Sequence, residues 1–165
     1  MVVIIIMSVI LSFVTLSIGD GGQARELKQE AQRLASLLKL AREEAVMQAQ
    51  EIGISFDTKG YHFYVLQQQK WQIFTKRDDI FHPHQFSPGI QSEIHVEGEP
   101  VLLKGIETNA PQLLLLSSGE LTPFEVILSV ESDETLHYRL RGTAIGVISI
   151  HHDKFPTSSQ IDNEN

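Results

Sequence analysis

The chain opens with eighteen residues that carry no charge, MVVIIIMSVILSFVTLSI, and the first charged residue is Asp20. Twelve of the eighteen are Val, Ile, Leu or Phe, and no polar face interrupts them, which argues against an ordinary core helix. As a helix the run would extend about 27 Å, close to the ~30 Å hydrocarbon core of a bilayer. It therefore predicts a membrane anchor over residues 1–19, to which any folded domain is attached by its N-terminal end.

A cleaved export signal is the alternative interpretation of this run. Such a signal has basic residues before the apolar segment and a small-x-small cleavage site after it. No Lys or Arg precedes the run, and residues 19–22 (GDGG) match the cleavage pattern poorly. With every basic residue after the run, the positive-inside rule would leave the domain in the cytoplasm, and a basic leader would reverse that orientation. We expect codons upstream of Met1 to encode such a leader.

Residues 20–52 are predicted to form an amphipathic helix that continues the anchor, with a weak point at the glycines and a stop near Gly53. Its apolar residues recur at alternating spacings of four and three, so they share one face. This apolar stripe consists of Leu27, Ala31, Leu34, Leu38, Ala41 and Ala45. Packing on the chain's own sheet and assembly with partner helices both remain open. We expect packing on the chain's own sheet from Leu34 to Ala45 and contact with neighbours at the Leu27 end.

Beyond the helix the hydrophobic period changes to that of strands, and residues 53–150 are predicted to form an antiparallel β domain. The segment FEVILSV at 124–130 alternates most regularly, and further strands are expected at 94–97, 101–106 and 112–116. Residues 151–165 (HHDKFPTSSQIDNEN) are polar and are expected to form a flexible tail. The predicted fold class is α+β, a long N-terminal helix packed on an antiparallel sheet or sandwich.

The composition limits the choice of partners. The chain has 13 basic and 21 acidic residues, a net charge of −8, which argues against nucleic acid as a ligand. It contains no cysteine, so a disulfide framework and a thiol nucleophile are excluded. Charged residues of the predicted helix are expected to face solvent, among them Arg25, Lys28, Arg33, Arg42, Glu30 and Glu44.

Residues capable of chemistry occur only in incomplete patterns. The adjacent acids Glu43-Glu44 and Asp78-Asp79 point to different sides of any helix or strand, so neither pair suits general acid–base catalysis. No nucleophile elbow, phosphate loop or dinucleotide motif is present. The paired histidines are expected to lie in a loop and a tail without a full metal ligand set; they are His82, His84, His151 and His152. We expect no enzyme and no cofactor.

Three features together resemble one protein family. They are the apolar helix that runs into an amphipathic one, the stretch EAQRLASLLKLAREEAVMQAQEIGISFDTKGYHFY, and the stretch LLLLSSGELTPFEVIL. They resemble the H-type minor pseudopilins of the type II secretion system (general secretion pathway protein H family) up to about residue 150. The most specific part is a turn that comprises Ser118, Gly119, Glu120, Thr122, Pro123 and Phe124. Gly119 permits the turn, Pro123 begins a strand where its missing N–H does least harm, and Phe124 begins the buried face.

The resemblance implies a structural subunit of the periplasmic pseudopilus, which helps to move folded proteins across the outer membrane. It implies a single-pass protein of the bacterial inner membrane whose C-terminal domain lies in the periplasm. The implied partners are other minor pseudopilins and the major pseudopilin, together with prepilin peptidase if an upstream leader carries the family's Gly-Phe-Thr-Leu-x-Glu motif. The alternatives are a minor pilin of a type IV pilus (FimT-like) and a secreted binding module with a cleaved signal.

Overall fold

The computed structural model describes residues 19–74, 80–103 and 110–154. The predicted anchor at residues 1–18 and the last part of the predicted tail, 155–165, lie outside these ranges. In the described ranges one helix is followed by ten strands. They are α1 (Gly19–Met47), β1 (Ile52–Phe56), β2 (Gly60–Gln67), β3 (Lys70–Ile73), β4 (His84–Gln85), β5 (Ile90–Val96), β6 (Glu99–Pro100), β7 (Leu113–Leu115), β8 (Phe124–Val130), β9 (Asp133–Gly142) and β10 (Ile148–Lys154).

The strands form two antiparallel sheets. The first has the order β3-β2-β1-β7, with β4 paired to β2, and the second has the order β10-β9-β8-β5-β6. Helix α1 packs mainly on β8, β9 and β10 and also reaches β1 and β7. Its apolar stripe and the inner faces of both sheets therefore share one core. The predicted fold class, a helix on antiparallel sheets, is confirmed.

Helix α1 is already formed at Gly19 and runs unbroken through Gly21 and Gly22. The predicted weak point at these glycines is therefore not a break. Within the described part of the chain, no helix is long and apolar enough to cross a membrane.

The C-terminal end of α1 lies at Met47, five residues before the predicted boundary at residue 52. Ala49 has a left-handed backbone with φ of +49°. The Gln50 N–H donates to the Ala45 carbonyl (3.1 Å) and the Ala49 N–H to the Val46 carbonyl (3.3 Å). These two hydrogen bonds form a Schellman motif that ends the helix.

The sequence predicted that the helix would stop near Gly53. Instead, Gly53 lies inside β1. There it pairs with Tyr64 on one side and Leu114 on the other. A Cβ at this position would lie 2.5 Å from the ring of Pro111. The absence of a side chain therefore serves a close approach between neighbouring segments.

The strand predictions hold where alternation is regular. In β8 the side chains of Phe124, Val126, Leu128 and Val130 are buried and the residues between them are partly exposed. The prediction of a strand at 101–106 is wrong for residues 101–103, which form none, while 104–109 lie outside the described ranges. In the β5–β6 hairpin Pro100 lies opposite His95, and the Val101 N–H still donates to the Ile94 carbonyl at 2.8 Å.

The predicted tail begins too early. Strand β10 continues to Lys154 and pairs with β9 throughout, so residues 151–154 belong to the sheet. His151 lies opposite Arg139, and the ring of His152 lies 4.7 Å from the ring of Tyr138, centroid to centroid. Cross-strand contacts of this kind stabilise a polar strand that composition alone assigns to a tail.

Candidate functional site

The turn that carries the family resemblance connects β7 to β8; we call residues 118–124 the signature turn. Gly119 has φ of +87°, a conformation that residues with a Cβ rarely adopt. Its N–H donates to the Leu116 carbonyl (2.9 Å), and the Leu116 N–H donates to the Glu120 carbonyl (2.9 Å). The Ser118 hydroxyl donates to the Glu120 carboxylate at 3.2 Å. The structure thus has Gly119 at the tight point of a turn, where the sequence analysis expected it.

The second half of the signature turn leads into β8. The Thr122 N–H donates to the Leu114 carbonyl (2.9 Å), and the Thr122 hydroxyl accepts from the Leu114 N–H (3.1 Å). Pro123 immediately precedes β8, so its missing N–H interrupts no ladder. Phe124 is only 4% exposed, and its ring lies directly against Gly142, where a Cβ would collide with it. The turn therefore continues directly into the core.

Arg42 of α1 joins the signature turn to the helix. Its Nε–H donates to the Gly119 carbonyl at 2.8 Å, in a partly buried setting. Gly146, in the turn between β9 and β10, has φ of +84°, and a Cβ there would meet both the Arg42 guanidinium and the Gly119 carbonyl. We call Arg42, Gly119 and Gly146 the Arg42 junction. It brings one helix and two turns to a single side chain.

The expectation that Arg42 faces solvent is wrong. Arg42 follows Ala41 of the apolar stripe and precedes Ala45 by three positions, so it borders the buried face. A long aliphatic stem can lie along apolar surface while the guanidinium reaches a polar partner. Its position beside the apolar stripe was the sequence signal that could have identified Arg42 as a contact to the β domain.

The apolar stripe is buried within the chain itself. All six side chains are 0% exposed and belong to the common core. The packing of Leu34 to Ala45 on the chain's own sheets is therefore what the structure shows. The same holds for Leu27. A fully covered side chain offers no surface to a partner, so contact with neighbours at the Leu27 end of the helix remains a prediction about the other residues there.

Glu30 forms a second polar contact between the helix and the β domain. It is 8% exposed, and one carboxylate oxygen lies 2.7 Å from Nε2 of His84. The other accepts hydrogen bonds from the Ser87 hydroxyl (3.2 Å) and the Ser87 N–H (3.3 Å). The expectation that Glu30 faces solvent is wrong, and His84, which was expected in a loop, lies in the short strand β4. Buried carboxylates require such partners, because desolvation disfavours an unpaired charge.

Tyr61 packs beside this contact in an aromatic cluster. Its ring centroid lies 5.2 Å from that of His84 and 5.7 Å from that of Phe86. Burial raises the pKa of Tyr61 to about 12, because desolvation of the phenolate outweighs the favourable effect of the nearby Arg33 guanidinium. The phenol therefore stays neutral, and its role is packing.

The other residues considered for chemistry do not meet in one place. His82 is exposed, and His151 and His152 lie on β10. Glu43 is exposed, and the pair Asp78-Asp79 lies outside the described ranges. In the described ranges no group of three His, Cys, Asp or Glu side chains could hold a metal ion. The polar contacts found there connect structural elements to one another.

The arrangement of one long N-terminal helix on antiparallel sheets is that of pilin-like proteins. Among solved structures, the minor pseudopilin EpsH of the Vibrio cholerae type II secretion system matches with a TM-score of 0.68 and 25% identity, covering 81% of this chain and 98% of that chain. The type IV minor pilin FimU of Pseudomonas aeruginosa matches with a TM-score of 0.54 and 19% identity, covering 78% and 90% respectively. The match to FimU is evidence for the fold alone.

The sequence comparisons narrow the class to one family. Residues 30–146 match the family described as Type II transport protein GspH. Type II secretion system protein H of Pseudomonas aeruginosa is 33% identical over 142 residues, which cover 81% of each chain. The chain belongs to this family, and it is an H-type minor pseudopilin. The match confirms the family resemblance found in the sequence. Proteins of this family are structural secretion-system subunits and not enzymes.

Proposed function

We propose that the chain is a subunit of the periplasmic pseudopilus and helps to move folded proteins across the outer membrane. Family membership supports a place in the type II secretion pseudopilus. The observation that carries the proposal further is the continuity of α1, which is formed at Gly19 directly after an uncharged run of eighteen residues. A rigid helix at this position couples the β domain mechanically to the structure in which the uncharged run is embedded.

In this proposal, residues 1–19 anchor the chain in the bacterial inner membrane and the β domain lies in the periplasm. The length and apolar composition of the run support the anchor. Protease treatment of spheroplasts should digest the β domain, and detergent should be required to release the intact chain from membranes. A domain protected in spheroplasts, or a chain released by salt alone, would contradict this placement.

The proposed partners are other minor pseudopilins and the major pseudopilin, with prepilin peptidase as a processing enzyme where a leader is present. Nucleic acid is not among them, because a net charge of −8 repels phosphates. The signature turn and the apolar stripe contribute to assembly indirectly, by keeping the helix and sheets in one rigid unit. This role is supported by the burial of the stripe and by the Arg42 junction.

Deletion of the gene tests the proposed function. Substrates of type II secretion should accumulate in the periplasm and disappear from the medium, and the full-length gene supplied in trans should restore secretion. Normal secretion combined with a loss of twitching motility or DNA uptake would overturn the proposal in favour of a type IV minor pilin.

A further inference from the structure

The exposed face of helix α1 carries an excess of positive charge in a chain that is otherwise acidic. From Gly22 to Leu40 its exposed positions contain four basic side chains and one acidic side chain, Glu26. The basic ones are Arg25, Lys28, Arg33 and Lys39. After Met47, by contrast, the chain contains eight basic and sixteen acidic residues. The net charge of −8 therefore arises after Met47, whereas residues 1–47 carry five basic and five acidic residues.

Three of these side chains form a row along one side of the helix. Arg25, Lys28 and Lys39 are separated by three and eleven residues, which brings them to one side over about 21 Å of helix length. The exposed residues Gln32 and Ser36 lie between them. We call these five residues the basic row. Within the described part of the chain, none of its three cations forms an ion pair.

The structure explains why nearby acids do not neutralise the row. Glu30 is turned into the molecule and held by His84 and Ser87. Glu26 is adjacent in sequence to Arg25 and therefore projects to a different side. Glu43 is exposed and lies one turn beyond Lys39, at the end of the row. Most of the row thus faces outward without a compensating charge.

Because the apolar stripe is buried, a neighbour can contact α1 only through its exposed positions, and the basic row makes up much of that surface between Arg25 and Lys39. We propose that the basic row is an assembly surface that binds an acidic face of a neighbouring pilin-like subunit. Complementary charge is the recognition chemistry, and it determines orientation and specificity more than affinity. This inference rests on the proposed function, because it assumes that subunits pack side by side along their helices.

Anionic lipid headgroups are the competing ligand, and helix length argues against them. Arg25 lies about 9 Å along the helix from Gly19, within reach of headgroups if the run before it spans a bilayer, but Lys39 lies about 30 Å away. Charges interact weakly with a membrane surface beyond a Debye length of about 8 Å at physiological salt. The far half of the row is therefore suited to protein and not to lipid.

Photocrosslinking in intact cells tests the inference with the full-length chain. Gln32 is replaced by p-benzoyl-phenylalanine, and the adducts are identified by mass spectrometry. We expect an adduct with another pilin-like subunit of the same secretion system. Lys28→Glu/Lys39→Glu should reduce its yield roughly tenfold or more, because opposite charges would become like charges. The matched control Lys59→Glu/Lys70→Glu makes the same change at exposed positions of the β domain and should leave the yield unchanged.

The outcomes separate this inference from the proposed function. An equal loss of adduct in both double variants, or the absence of any protein adduct while secretion still requires the gene, would overturn the basic row alone. Binding of the purified chain to phosphatidylglycerol vesicles that is lost in Lys28→Glu/Lys39→Glu, without a protein adduct in cells, would replace the acidic subunit by lipid. Secretion that is unaffected by gene deletion would instead overturn the proposed function.

Discussion

At the residue scale, Arg42 explains why the signature turn has its particular sequence. The guanidinium approaches the Gly119 carbonyl at 2.8 Å, and a side chain at Gly146 would occupy the same space. Both glycines have positive φ, so the backbone conformation and the lack of space for a Cβ both favour glycine at each position. The turn was recognisable in the sequence, but its helical partner lies 77 residues away and no local pattern connects the two.

Arg42→Ala should lower the free energy of unfolding by about 1–2 kcal/mol, since it removes a partly buried charged hydrogen bond and the packing of the side-chain stem. Lys39→Ala, an exposed neighbour on the same helix, should change it by less than about 0.5 kcal/mol. Urea denaturation of the purified chain measures both. Equal effects of the two substitutions would show that the Arg42 junction does not stabilise the fold.

Tyr61 should be the tyrosine that ionises at the highest pH. Its pKa is about 12 in the folded protein against an ordinary value of 10.0, so the folded state retains its proton where the unfolded state has lost it. The free energy of unfolding should therefore fall as pH rises from about 10 to 12. Phenolate absorbance should show this late ionisation, which Tyr61→Phe removes and Tyr138→Phe retains. A late step that survives in Tyr61→Phe would contradict the assignment.

At the element scale, the spacing of apolar residues predicted the buried face of α1 and the inner face of β8. Both follow from backbone periodicity alone. The end of the helix could not be predicted in the same way, because Ala49 adopts the left-handed conformation usually taken by Gly. Glu30 likewise resembles a solvated residue until the segment that contains His84 and Ser87 folds against it.

Ala49→Gly should stabilise the protein by about 0.5–1 kcal/mol, since glycine adopts positive φ without the Cβ penalty. Gln29→Gly, at an exposed position in the middle of the helix, should destabilise it by a similar amount. Thermal unfolding of the two variants should shift in opposite directions. A decrease in melting temperature for Ala49→Gly would show that the Schellman motif does not end α1 in solution.

Leu34→Asp should destabilise the fold by roughly 4 kcal/mol or more, because a charge would be buried without a partner. Leu38→Asp is expected to behave in the same way, since both leucines are 0% exposed. Leu40→Asp is the matched control on the same helix, where Leu40 is 40% exposed, and should cost much less. Comparable losses at Leu34 and Leu40 in urea denaturation would contradict the orientation of the helix.

At the scale of the whole molecule, the sequence indicated the class of fold but not the assembly of its sheets. β1 pairs with β2, which follows it directly, and with β7, which follows about sixty residues later. β5 pairs with β8, which follows about thirty residues later. Such pairings depend on how the core closes around α1, which local propensity does not determine. The family resemblance anticipated this architecture, and the close match to EpsH confirms it.

The central claim is that this chain is a minor subunit of a type II secretion pseudopilus. The most direct test is to raise the level of the major pseudopilin until pseudopili extend from the cell surface, to shear and purify them, and to measure this chain in them by quantitative mass spectrometry. The account predicts that the chain is present at a small fraction of the major subunit and is lost when the major pseudopilin is deleted. Its absence from purified pseudopili, in cells that contain the chain in their membranes, would contradict the account.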